Sequence, residues 1–215
     1  MRKRRNHGGA VVEFALVFPM LCSLIIGTMM YGVGLLKELE LEQVARDTAS
    51  MLARGTDFTD NTNQLIVARL GQTLGWPTTG LPTSSGVGVV YISTVEYLDA
   101  TCNGVTPVCA NAGNWVFTAS VMIGDKNFRK SNIGAQPQCV PGCYDTSQVG
   151  GALLSNSILT NPQAIATNFT ALNQPGVPST TVNGFQPGQV AYVVEAAATT
   201  GGWGAGTVGY AFAIF

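Results

Sequence analysis

The sequence predicts an α+β protein, in which a long N-terminal membrane helix carries an extracytoplasmic head with an antiparallel sheet. Residues 10–36 form an apolar run that contains a single charged residue, Glu13. An amphipathic pattern continues beyond this run at helical spacing. The remainder of the chain alternates runs rich in β-branched and aromatic residues with loops rich in glycine and proline, a pattern typical of strands joined by turns.

The apolar run is long enough to cross a membrane. At 1.5 Å per residue it makes a helix of roughly 40 Å, which exceeds a hydrocarbon core of about 30 Å. Residues 2–5 are all basic and precede the run. Because basic residues stay on the cytoplasmic side, we expect a single-pass protein with a cytoplasmic N-terminus and an extracytoplasmic head.

The same helix is predicted to continue beyond the membrane. Apolar residues recur every three or four positions over 35–52, and Gly55 after Arg54 is a typical helix stop. We therefore predict one helix from about Gly9 to Arg54. The predicted domains are a leader over 1–8, a transmembrane helix over 9–36, its amphipathic continuation over 37–55 and a head over 56–215.

Local patterns assign the main elements of the head. A second amphipathic helix is predicted over 62–74, and a short helix up to residue 172 begins at Pro162 with Asn161 as its cap. The predicted strands cover residues 87–98, 115–123, 190–198 and 207–215. We expect the first two strands to pair as a hairpin.

Four cysteines lie in the head, and an even number in a loop-rich region favours two disulfides and an oxidising compartment. A bridge between Cys102 and Cys109 would close the loop between the first two strands, and one between Cys139 and Cys143 would close a tight second loop. Crossed pairing stays open. A zinc site is the alternative, but the spacings match known zinc motifs poorly. Cys22 lies in the apolar run and is interpreted as a packing residue.

The residue types present argue against several function classes. His7 is the only histidine and lies in the leader, so no histidine-based triad or transition-metal site is expected in the rest of the chain. No basic patch outside the leader suits a nucleic acid. The acids of the head are scattered, and we interpret them as solvated surface: Glu96, Asp99, Asp125, Asp145 and Glu195. A small basic cluster is interpreted as a solvated loop: Lys126, Arg129 and Lys130. We expect no enzyme, cofactor or metal.

The start of the apolar run carries a specific pattern. Glu13 and Phe14 are the fifth and sixth residues after Gly8, and the basic leader precedes them. This arrangement resembles a prepilin-type signal. With the continuation Ala-Leu-Val-Phe-Pro, it is similar to the TadE/TadF-like minor pseudopilins of the Tad (Flp, tight-adherence) pilus system. The residues that carry the resemblance are Gly9, Ala10, Val12, Glu13, Phe14, Ala15, Leu16 and Pro19.

The resemblance implies cleavage by a prepilin peptidase at the cytoplasmic face. The count back from Glu13 favours the Gly8–Gly9 bond, with Gly9–Ala10 as the alternative. Cleavage would create an α-amine at Gly9, one helical turn from Glu13, and this amine could neutralise the Glu13 of a neighbouring subunit in lipid. The alternative is that Glu13 lies near enough to the headgroups to be solvated. Phe14 and Pro19 complete the residues expected to set assembly and register, and Pro19 is expected to loosen the helix.

The function implied is that of a minor pseudopilin in the bacterial inner membrane, which helps to initiate, cap or anchor a Tad-type adhesion pilus. The implied partners are other pilins through the helix, the prepilin peptidase, the inner-membrane assembly platform and membrane lipid. Two alternatives stay open. One is an adhesin or ligand-binding head on an uncleaved anchor. The other is a type II secretion or type IVa minor pilin, against which Gly9 argues.

Overall fold

The computed structural model describes residues 7–76, 86–104, 109–135, 137, 151–153, 155–169, 188–200 and 207–215. Its architecture is one long helix followed by an antiparallel sheet. The predicted α+β class is confirmed. The predicted Cys102–Cys109 disulfide is also present.

Helix α1 spans His7–Ala53 and is 47 residues long, which corresponds to about 70 Å. It begins two residues before the predicted start and ends one residue before Arg54. Pro19 lies inside it without interrupting it. Among the described residues, a membrane-length window of the apolar part of α1 has no buried residue. Its last third instead packs on the sheet through a buried stripe, Leu41, Val44, Ala45, Thr48 and Ala49.

Helix α2 spans Asn61–Leu70, and the Asp60 side chain caps it by accepting a 2.8 Å hydrogen bond from the Thr62 backbone N–H. The predicted helix over 62–74 is divided at Gly71, where the α-helix ends and a 3-10 turn, Gln72–Leu74, follows. Buried side chains of α2 and the turn, Val67 and Leu74 among them, join the core beneath α1.

Five strands form the sheet. They are β1 Gly88–Tyr97, β2 Trp115–Gly124, β3 Gly151–Ala152, β4 Val190–Thr199 and β5 Val208–Ile214. Their order is β3-β2-β1-β4-β5, and each neighbouring pair is antiparallel. The four long strands and the β1–β2 hairpin agree with the sequence prediction. The short β3 was not predicted, and neither was the placement of β4 beside β1.

The two faces of the sheet bury different cores. The face toward α1 carries small and medium apolar residues, including Val194, Ala196 and Ala198 of the internal strand β4. The opposite face carries larger side chains, Trp115 and Phe117 among them, and it is covered by chain segments that follow β2 and β3. Because alanines line the helix-facing side, α1 can approach the sheet closely.

The predicted helix from Pro162 to residue 172 is wrong beyond its first turn. Asn161 caps as predicted, since its side chain accepts a 2.9 Å hydrogen bond from the Gln163 N–H, but the turn ends at Ala164. Ile165 is extended and bridges Val116, and the next residue donates to the Trp115 carbonyl. Pairing with β2 therefore replaces the helix. Helix α3, Ser155–Thr160, precedes this turn, and residues 170–172 lie outside the described residues.

Candidate functional site in the N-terminal helix and the head

The predicted cleavage site lies within the first turn of α1. The backbone is helical at both Gly8 and Gly9. A protease that binds an extended substrate would have to unwind this turn. Glycine in a helix costs about 1 kcal/mol relative to alanine, so two adjacent glycines make this end of the helix the easiest part to unwind.

Glu13 is an isolated carboxylate on an apolar helix surface. Its neighbours Val12 and Phe14 are each more than 60% exposed. Across the described part of the chain, the ion pair that forms is between Arg46 and Glu42, 33 and 29 residues further on, and Glu13 has no such partner. An unpaired carboxylate in a lipid environment is costly. If Glu13 lies in lipid, its partner comes from outside the described residues.

Phe14 and Pro19 belong to the same exposed stretch. The Phe14 ring contacts the Phe18 ring with centroids 5.4 Å apart, which places two aromatic side chains on one side of the helix. Pro19 has no N–H to donate to Ala15, yet the helix continues through it. The expected loosening at Pro19 is not accompanied by a break in the helix.

The head meets α1 within the apolar run. A Cβ placed on Gly34 would lie 3.9 Å from the carbonyl oxygen of Thr200, and one on Gly209 would lie 3.3 Å from Leu41 Cδ2. Thr200 also donates a 2.9 Å hydrogen bond to the Thr207 carbonyl, which closes the β4–β5 hairpin. Strand β5 therefore begins beside Gly34 and runs along α1, away from the apolar run.

The cysteines are partly placed. Cys102 and Cys109 are disulfide-bonded as predicted, and the bridge closes part of the β1–β2 connection. This bond removes two of the four thiolates that the alternative zinc site required. Cys139 and Cys143 lie outside the described residues, and Cys22 is a free, half-buried thiol in α1. Within the described residues, no group of three or more potential ligands could hold a metal.

The interpretation of the acids as solvated surface is wrong for Glu195 and Asp125. Glu195 is only 1% exposed and lies in the middle of β4, on the face opposite α1. Its Oε1 accepts hydrogen bonds of 2.6 Å from both the Asn132 N–H and the Tyr210 hydroxyl, and its Oε2 accepts one from the Ser131 hydroxyl. Asp125 is also buried and accepts a hydrogen bond from the backbone N–H two residues later.

The sequence contained a signal for this burial. Glu195 interrupts an otherwise apolar run in a predicted strand, and a charged residue there requires buried hydrogen-bond partners. Asp145, which was grouped with these acids, lies outside the described residues. Asp99 is half-buried and accepts hydrogen bonds from the N–H and hydroxyl of Thr101, as expected for a turn.

The surroundings of Glu195 shift the titration of two tyrosines. Burial, and then the nearby Glu195 charge, raise the pKa of Tyr210 well above its usual range. Burial is also the main cause that raises the pKa of Tyr91, whose hydroxyl donates a 2.7 Å hydrogen bond to the Arg129 carbonyl. The Arg129 guanidinium lies 4.1 Å from the centre of the Tyr210 ring. Arg129 is therefore not the freely solvated residue that was predicted.

These contacts describe a structural network. Glu195 engages three donors, and the donors come from β5 and from the segment after β2, which the network fastens to the sheet. A carboxylate that accepts several hydrogen bonds holds the segments that carry the donors in place. The functional residues that the sequence suggests therefore lie in α1, while the buried charge of the head serves its fold.

A helix long and apolar enough to cross a membrane, which continues onto an antiparallel sheet, defines the class of this α+β protein. Residues 8–50 match the family model of the TadE-like proteins, TadE, and over these residues the chain is TadE-like. The resemblance predicted from the sequence is thereby confirmed for about a fifth of the chain. No curated protein and no solved structure matches the chain.

The family match gives a coarse functional assignment. It associates the chain with the Tad pilus and, in general terms, with other pilus components. The TadE-like family is not known for enzymatic activity. The apolar part of α1 fits anchoring in a membrane.

Proposed function

We propose that this protein is a minor pseudopilin that takes part in assembling a Tad-type pilus, after a prepilin peptidase cleaves its leader. The observation that carries the proposal is Glu13. It is exposed on an apolar helix, lacks an ion-pair partner among the described residues, and lies in the segment that matches the TadE-like family. Its charge calls for a partner supplied by assembly.

The chemistry of the cleaved N-terminus supplies such a partner. Cleavage of the Gly8–Gly9 bond leaves an α-amine at Gly9, about 6 Å from Glu13 along the helix axis. The amine of one subunit pairs with Glu13 of its neighbour, and this pairing fixes the axial register of the two helices. Pairing neutralises the amine and the carboxylate, each of which is costly alone in lipid. Phe14 and Pro19 lie on the exposed stretch that neighbouring helices would contact.

The head suits a minor role rather than that of a bulk filament subunit. The head, residues 56–215, makes up most of the chain. Its disulfide is consistent with an extracytoplasmic location. We place the protein in the bacterial inner membrane with its N-terminus in the cytoplasm. There it contacts other pilins, the assembly platform and membrane lipid, and it initiates, caps or anchors the pilus.

The first test is intact-mass measurement and N-terminal sequencing of the protein from cells with and without prepilin peptidase. We expect a chain that begins at Gly9 only when the peptidase is present. A start at Ala10 would move the cleaved bond by one residue. A chain that keeps its leader in both strains would contradict the proposal and favour a signal-anchored adhesin. A start near Leu35 would indicate cleavage after the small residues Gly32 and Gly34, as in a secreted protein, and would also contradict it.

The second test addresses Glu13 directly. Glu13→Lys should insert into the membrane and be cleaved at wild-type levels, but its recovery with sheared pili should fall at least tenfold. Glu40→Lys is the matched control, because Glu40 lies beyond the apolar run, and its recovery should stay within about twofold of wild type. Wild-type recovery of the Glu13→Lys protein would contradict the pairing mechanism.

A further inference from the structure

The outer edge of β5, in the head, is a second feature that has no partner among the described residues. β5 ends the sheet, and within the described part of the chain it pairs only with β4. Hydrogen-bonded pairs close both ends of this ladder, Thr200 with Thr207 and Tyr192 with Phe215. In an antiparallel pair such residues alternate with outward-pointing ones. Four residues therefore direct their backbone N–H and C=O groups outward: Val208, Tyr210, Phe212 and Ile214.

This edge carries none of the usual protection against strand pairing. β5 has seven residues, Val-Gly-Tyr-Ala-Phe-Ala-Ile, without a charge or a proline. Natural proteins commonly shield sheet edges with charges, prolines, bulges or very short strands. The opposite edge follows that practice, because β3 is only two residues long. Among the described residues, none pairs with the outer backbone groups of β5, which are therefore available there for hydrogen bonds.

Helix α1 completes a groove beside this edge. Leu35 and Leu39 of the helix line it, each more than 40% exposed, and residues 208–212 of the strand line its other side, where Gly209 and Ala211 face α1. Glu38 also lines the groove and forms no ion pair with any described residue. The groove therefore combines apolar side chains, an acidic residue near its membrane end and a free strand edge.

We propose that this groove binds an extended segment of a different polypeptide, which adds to the sheet as a further strand beside β5. The free backbone groups require an extended backbone, the lining requires apolar side chains at alternate positions, and Glu38 favours a basic residue. This inference goes beyond the proposed function, because it concerns the head and does not depend on leader cleavage or on Glu13.

A second copy of this protein does not fit the groove as an antiparallel partner. Strand β5 begins beside Gly34 and runs along α1, away from the apolar run. Two copies in one membrane have the same orientation, so their β5 strands point the same way. Antiparallel pairing of β5 with its copy would require one of the two helices to be inverted. The β5 strand of a second copy is therefore excluded as an antiparallel occupant of this edge.

The test measures binding of a labelled peptide to the full chain in detergent micelles by fluorescence anisotropy, with empty micelles as the blank. The peptide alternates valine and threonine over the seven-residue length of β5 and ends in lysine. We expect saturable binding to the wild type. The same peptide with every backbone amide methylated should bind at least tenfold more weakly. Exchange of its lysine for glutamate should weaken binding about fivefold.

Protein variants provide the matched comparison. Phe212→Pro removes an outward N–H without breaking a β4–β5 hydrogen bond, so the head should fold while peptide affinity falls at least tenfold. Phe212→Val keeps the N–H and should bind within about twofold of wild type. Absent wild-type binding, or binding insensitive to amide methylation, would overturn the proposal. Self-association of the wild type that Phe212→Pro abolishes would assign the edge to a second copy and overturn it as well.

Discussion

Tyr210 donates a 2.6 Å hydrogen bond to Oε1 of Glu195, and this bond joins β5 to β4 on the face of the sheet opposite α1. The same carboxylate accepts hydrogen bonds from Ser131 and from the Asn132 backbone. Glu195 is therefore the point at which the edge strand, the neighbouring strand and the segment after β2 are held together.

Removal of the Glu195 carboxylate should destabilise the head strongly. Glu195→Ala removes a buried acceptor that satisfies three donors, and we expect the free energy of unfolding to fall by about 3 kcal/mol. Glu195→Gln keeps one acceptor oxygen and should lose about half as much. Urea unfolding of the full chain in detergent, followed by tryptophan fluorescence, measures both. Glu38→Ala is the control on an exposed glutamate, and a similar loss there would contradict the role of Glu195.

The buried tyrosines predict a loss of stability at alkaline pH. The pKa values of Tyr91 and Tyr210 are raised on folding above the ordinary value of 10.0. Their stabilisation is therefore complete below about pH 10 and is lost as the pH rises above it, by up to about 1.4 kcal/mol per pH unit for each phenol. Urea unfolding at pH 8 to 12 tests this.

The variant Tyr210→Phe should make the alkaline decline shallower, because one of the two phenols that ionise on unfolding is absent. Tyr31→Phe, in the exposed part of α1, is the control for the loss of a phenol elsewhere. An equal decline in the wild type and in Tyr210→Phe would show that Tyr210 does not contribute to it.

Replacement of Thr48 by an apolar residue should stabilise the protein. It is fully buried between α1 and the sheet, and its hydroxyl has no hydrogen-bond partner among the described residues. Valine has the same shape without the hydroxyl, so Thr48→Val should raise the free energy of unfolding by about 1 kcal/mol. Thr94→Val is the opposite case, since the Thr94 hydroxyl shares a 2.7 Å hydrogen bond with that of Thr118. The free energy of unfolding of the Thr94→Val protein should fall. A rise for both variants would contradict the prediction.

The Cys102–Cys109 disulfide closes a short loop, with a sequence separation of 7. The chain-entropy estimate for a loop of this size is about 2.5 kcal/mol. A variant with serine at both positions should lose about this much stability relative to the wild type under non-reducing conditions. Cys22→Ser, which removes a free thiol, should leave the value unchanged. An unaltered urea midpoint in the double serine variant would contradict this estimate.

Local sequence patterns predicted the elements that depend on nearby residues. Helix α1, the four long strands and the Cys102–Cys109 bridge each follow from periodicity or spacing within a short stretch. The TadE-like segment was recognisable because its pattern around Glu13 is contiguous. The cleavage bond and the roles of Glu13, Phe14 and Pro19 stay predictions.

The features that sequence reasoning missed depend on distant residues. Ser131 and Glu195 are 64 positions apart, and their contact exists only because β4 crosses over to lie beside β1. The helix predicted after Pro162 was lost for a similar reason, since Ile165 pairs with Val116 on the edge of β2. Tertiary pairing overrode the local helix preference after Pro162.

The packing of β5 along α1 has a mechanical consequence. Leu41 contacts the sheet only seven residues after Gly34, which itself lies beside Thr200, so no free neck separates the head from the apolar run. A rotation or an axial displacement of the helix is therefore transmitted directly to the sheet. The orientation of the groove beside β5 is set by the rotation of the helix about its own axis.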